Sequence, residues 1–135
     1  MHGYLWHMPR RRIGGDVIQV NYQDSRPIYQ QVHDGFRRQI LAGVLRPGDQ
    51  LPSVRELSTR LAVNPNTVQR AYRELEQEGC VYSVRGKGSF VADASDAARA
   101  HQAELRGRFD SLVQELQALG VTPEQLRQRL EGGTT

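Results

Sequence analysis

A chain of 135 residues is one ordinary domain, or one small domain with an appendage, and its 38% hydrophobic content is low for a globular protein without reaching the disordered range. No apolar run approaches the roughly 18 residues that span a membrane, and Tyr4-Leu5-Trp6 ahead of Arg10-Arg11-Arg12 reverses the order of a secretory signal. The net charge of +3 is unevenly spread: from Arg26 to Val91 ten basic and six acidic side chains leave net +4, whereas from Ala92 to Thr135 five basic and seven acidic leave net −2.

Residues 1–15 show no period, end in Gly14-Gly15, and are expected to be a flexible leader. Asp16 to Tyr22 alternates and predicts a short strand. Pro27 suits a first helical turn, and Ile28, Val32, Phe36 and Ile40 recur every four residues, which predicts an amphipathic helix ending near Gly43. Pro47-Gly48 marks a turn. Ser53 and Glu56 form an S-x-x-E capping box that starts a short second helix carrying Val54, Leu57 and Leu61. Asn64 then caps a third helix with Pro65 in its first turn, and Gly79 ends it. Val68, Ala71, Tyr72 and Leu75 line its inner face.

After Gly79 the period changes. Val81 to Val84 and Ser89 to Val91 predict two strands around the tip Arg85-Gly86-Lys87-Gly88. From Ser95 the pattern is helical again, with Leu105, Phe109, Leu112, Val113, Leu116 and Leu119 on one side. Gly120 stops that helix, and Thr122, Pro123 and Gln125 begin another. The expected fold class is mainly α with a small β-wing: a winged helix-turn-helix over residues 16–92, then a short helical dimerisation region over 93–135.

Helix, short helix, turn, helix, hairpin is the order in which the second helix of a pair enters the DNA major groove. With the apolar residues turned inward, the outward side of the third helix carries Asn66, Thr67, Gln69, Arg70 and Arg73. Amides pair with adenine, arginine pairs with guanine, and a threonine methyl can meet thymine. A solvated helix face also carries polar residues, but this one has no acid before Glu74. Ser53, Arg55 and Asn64 sit at helix starts, where free N–H groups attract phosphate. The tip Arg85, Gly86, Lys87, Gly88 reads as a basic wing, although on its own a glycine-basic turn is a weak signal. Only Lys87 of the 18 basic residues is lysine, and arginine is the better bidentate partner for phosphate or guanine.

Taken together, Pro27-Ile28-Tyr29-Gln30-Gln31, the run from Gly43 to Leu57, Asn64-Pro65-Asn66-Thr67-Val68 with Ala71-Tyr72, and Gly86-Lys87-Gly88-Ser89-Phe90-Val91 resemble the DNA-binding domain of the GntR family of bacterial regulators. Leu119 to Glu124 is similar to the tail of its YtrA subfamily. The resemblance implies a homodimeric regulator, usually a repressor, on a palindromic operator. It also implies DNA contacts at Arg55, Asn66, Thr67, Gln69, Arg70 and Gly86. It implies nothing for the residues before Gly15.

The stripe from Leu105 to Leu119 has no obvious partner in so short a chain; it either folds back on the winged domain or, as expected for an apolar face of this size, pairs two copies. No catalytic constellation stands out. Cys80 lies among apolar residues and reads as a core side chain, while His2, His7, His33 and His101 are too scattered for a metal site. The expectation is therefore a regulator rather than an enzyme, with no cofactor and no membrane partner. Its partners would be double-stranded DNA, a second copy and an effector that the residues do not identify. A lone cysteine fits a reducing cytoplasm, and the resemblance implies a bacterial one, with the protein expected on the nucleoid.

Overall fold

The computed structural model describes residues 11–132. The chain forms two compact units, one up to Ala98 and one from Arg99.

In the first unit, helix α1 (Ile28–Leu41) buries Val32, Phe36 and Ile40, the expected four-residue repeat. Helix α2 (Val54–Leu61) begins at Ser53, whose hydroxyl accepts from the Glu56 N–H at 3.0 Å. The Glu56 carboxylate, expected to complete the capping box, lies instead 3.9 Å from Arg12. Ala62 ends α2 in the left-handed conformation, φ 55°. Helix α3 (Pro65–Gln77) follows at once, capped by Asn64, whose side chain accepts from the Asn66 N–H at 2.8 Å. Val68, Ala71, Tyr72 and Leu75 of α3 are buried against α1 and α2. Phe36 meets Tyr72 edge-on, with ring centroids 5.7 Å apart and planes at 77°. Cys80 is buried beside them, and burial raises its thiol pKa, so it stays protonated as a core residue.

Strands β1 (Val81–Val84) and β2 (Gly88–Val91) pair antiparallel, from Val81 with Val91 to Val84 with Gly88. The other side of β2 is taken by residues 48–51, through Gly48 N–H to Val91 O at 2.8 Å and Leu51 N–H to Ser89 O at 2.9 Å.

Two expectations for the N-terminal region need correction. Residues 1–10 of the expected leader lie outside the described residues, but residues 11–15 are docked. Gln50 donates its N–H to Arg11 O and accepts from Ile13 N–H, both at 2.8 Å, while Ile13 is buried and Arg11 pairs with Asp49 at 2.7 Å. The expected strand over residues 16–22 is a 3-10 turn at Gly15–Val17, then residues 18–21 in no regular element, extended at Ile18, and a turn from Tyr22. Side chains of α1 meet its backbone in place of a neighbouring strand. Gln31 donates to Asn21 O at 2.9 Å and accepts from Asn21 N–H at 2.8 Å, and Gln39 donates to Val17 O at 3.1 Å. Ile18 packs so closely on Gly35 that a β-carbon there would sit 2.9 Å from Ile18 Cδ1.

The second unit contains most of helix α4 (Ser95–Ala118) and helix α5 (Pro123–Gly132). Here the capping box forms in full. Thr122 N–H donates to Gln125 Oε1 at 2.9 Å, and Gln125 N–H donates to Thr122 Oγ1 at 3.2 Å. Neither helix has a buried residue. No helix among the described residues is long and apolar enough to cross a membrane.

Candidate nucleic-acid interface

Helix α3 turns its apolar side inward, so its polar side faces out. Asn66, Gln69, Arg70 and Arg73 are exposed, and Thr67 is half-buried. Asn66, Gln69, Arg70 and Arg73 line one shallow groove together with Glu74 and Gln77. The Asn64 side chain is occupied with its capping bond, so its place here is to start the helix and present the next residues. A second groove is lined by Gly15, Ser53, Arg55, Glu56, Thr59 and Arg60. It opens at the start of α2, where free backbone N–H groups favour an anion. Ser53 and Arg55 are both exposed there.

Arg85, Gly86 and Lys87 form the exposed turn between β1 and β2, and Gly88, also exposed, opens β2. Gly86 and Gly88 have φ of +79° and +123°, which a residue with a side chain rarely adopts. Gln50 braces this tip by donating to Lys87 O at 2.9 Å, and a β-carbon on Gly88 would sit 3.0 Å from the Gln50 amide nitrogen. The wing is therefore tied to the segment that leads directly into the Ser53 cap.

Residues outside the sequence-derived set also shape this surface. Tyr29 of α1 lies under the Arg70 guanidinium, with 3.6 Å from the guanidinium carbon to the ring centroid. Arg70 Nε is also 3.4 Å from Glu74, one turn along α3. In the sequence Tyr29 stands in the Pro27-Ile28-Tyr29-Gln30-Gln31 motif of the resemblance, and nothing in its spacing points to Arg70. Gln50 carried no signal of its own.

Behind the interface, His33 ties α1 to the end of α3. Its ring nitrogens lie 2.9 Å from Asp34 and 2.9 Å from Glu78, and Arg37 joins Glu78 at 3.3 Å while Arg26 joins Asp34 at 2.7 Å. Burial works against a proton on this ring, but hydrogen bonds and charge from Asp34 and Glu78 outweigh it and raise the His33 pKa. A raised folded pKa stabilises the fold most below the unfolded histidine value, about 6.5, and that contribution is lost as pH rises through the folded value. Melting temperatures at pH 5.5 and pH 8.5 should therefore differ more in the wild type than in His33→Gln. Equal pH dependence in the two proteins would remove His33 as the cause.

Leu105, Phe109, Leu112 and Leu116 are exposed along α4, Leu119 is exposed in the turn just after it, and Val113 is half-buried. Among the described residues no group of three or more histidine, cysteine or carboxylate side chains is arranged to hold a metal.

Comparison with known proteins places this geometry. The description "Bacterial regulatory proteins, gntR family" matches residues 28–91. The chain is 46% identical over 77 residues to the HTH-type transcriptional repressor YtrA of Bacillus subtilis (strain 168), covering 57% of this chain and 59% of that protein. It is 39% identical over 112 residues to the uncharacterized HTH-type transcriptional regulator YhcF of the same organism, covering 82% of this chain and 90% of that one. A solved GntR family transcriptional regulator from Listeria monocytogenes superposes with a TM-score of 0.67 at 33% identity, over 84% of this chain and 100% of that one.

Proposed function

The chain belongs to the gntR family of bacterial regulatory proteins, among its YtrA-like members, and from that premise we propose that it is a homodimeric repressor of a palindromic operator. In this reading each copy lays α3 in the major groove of one half-site. Asn66, Gln69, Arg70 and Arg73 meet base edges or the adjacent phosphates, with Thr67 at the margin. Ser53 and Arg55 hold the phosphate backbone at the start of α2. The tip Arg85-Gly86-Lys87-Gly88 brings positive charge to the neighbouring backbone or minor groove. The second copy is supplied through α4, and the two half-sites are read one DNA turn apart, about 34–36 Å.

The observation that carries this reading is the polar face of α3. Four exposed amide and guanidinium side chains share one groove, and exposed Ser53 and Arg55 line another at the capped start of α2. The test is titration against three probes at two salt concentrations: a duplex selected by the wild-type protein from a random pool, a random duplex, and single-stranded RNA. Arg70→Ala should weaken binding to the selected duplex by about 1–3 kcal/mol and leave the random duplex nearly unchanged. Equal loss on both duplexes would reduce Arg70 to a phosphate contact. Tighter binding to RNA than to either duplex would overturn the DNA reading.

A further inference from the structure

An arginine reads a guanine with its two terminal nitrogens in one plane, so the plane must be set before the base arrives if ordering is not to weaken binding. On α3 that plane is already constrained from two sides. The Tyr29 ring lies 3.6 Å beneath the Arg70 guanidinium carbon, and Glu74 sits 3.4 Å from Nε. Glu74 takes the Nε edge, and the Nη1–Nη2 edge is the one suited to the O6 and N7 acceptors of guanine. Tyr29 itself is half-buried on α1. Its backbone belongs to the helix whose Phe36 packs on Tyr72 of α3, so the platform and the arginine are held to one core.

We propose that Tyr29 is a positioning residue for DNA reading: its ring is the platform that holds the Arg70 guanidinium flat, with Glu74 fixing its rotation. This rests on the reading of α3 given above. The tyrosine acts through its π face, so its hydroxyl is dispensable and its ring is not.

The experiment is a double-substitution cycle on the full chain, read on the selected duplex and on a random duplex. Tyr29→Leu keeps an apolar side chain at the position and should weaken binding to the selected duplex about 3- to 30-fold. It should leave the random duplex within about twofold, as expected when no phosphate contact is lost. Tyr29→Phe should bind like the wild type. In an Arg70→Ala background Tyr29→Leu should have no further effect, because the group it positions is gone. Melting curves taken first set a temperature at which every variant is folded. If Tyr29→Leu weakens binding equally with and without Arg70, or if Tyr29→Phe is as weak as Tyr29→Leu, the platform role is overturned. An Arg70→Ala loss that is the same on both duplexes would instead defeat base reading, and the coupling between Tyr29 and Arg70 would still be measured by the cycle.

Discussion

Replacing Leu112 and Leu116 together by aspartate should convert the protein to a monomer and weaken binding to the selected duplex by about 100-fold or more, the scale on which two linked half-sites exceed one. Helix α4 carries Leu105, Phe109, Leu112 and Leu116, and Leu119 follows one residue past its end, at alternating steps of four and three residues, the spacing of a seam between paired helices. Leu112 is 58% exposed and Leu116 41% exposed, and neither α4 nor α5 buries a residue. Two helices without a core cannot account for their own order, because each apolar side chain fully buried against a partner contributes about 1.5–3 kcal/mol. In the proposed dimer a second copy supplies an identical stripe, and two-fold pairing would bring each stripe to itself. Aspartates at two central positions would place carboxylates where water must leave, a cost that no partner group offsets. Sedimentation of the variant should show a single chain, and its melting curve should retain the winged-domain transition. A variant that sediments as a dimer would place the interface elsewhere.

The helices were legible because their signals are local. Ser53, Asn64 and Thr122 cap the helices that they were expected to start, and the inward side chains of α3 follow from counting along one turn. Once those starts are known, the exposure of Asn66, Gln69, Arg70 and Arg73 follows from helical geometry. What stayed hidden depends on residues distant in sequence. The docking of Arg11 and Ile13 needs Gln50, far along the chain, to offer a free backbone edge, and no local period encodes that. Asp16 to Tyr22 alternates like a strand, but alternation only marks a chain with two faces. Gln31 and Gln39 occupy the backbone groups that a neighbouring strand would have used. Tyr29 stayed hidden for the same reason, since its partner Arg70 lies on another helix.

Phe36→Ala should cost about 3–5 kcal/mol of stability, a large part of the roughly 5–15 kcal/mol that holds a domain together. Phe36 is fully buried, and its ring meets the Tyr72 ring at 77°. Removing it leaves a cavity between α1 and α3, under the helix proposed to read bases. Tyr72→Phe is the contrasting change. It keeps the ring but removes the hydroxyl that donates to Pro52 O at 2.7 Å, and Pro52 is itself fully buried. A buried carbonyl left without its donor costs about 1–3 kcal/mol, so Tyr72→Phe should be the milder lesion for stability. Their effects on DNA binding should be ordered differently. Pro52 immediately precedes the Ser53 cap, so the Tyr72 hydroxyl ties the helix proposed to read bases to the helix start proposed to grip phosphate. With both variants held well below their melting temperatures, Tyr72→Phe should lose more selected-duplex affinity per kcal/mol of lost stability than Phe36→Ala. Denaturant unfolding and duplex titration on the same preparations measure both quantities. A Phe36→Ala loss below about 1.5 kcal/mol would mean that the core collapses around the vacancy. A Tyr72→Phe variant with unchanged binding would show that the two helices keep their registry without the hydroxyl.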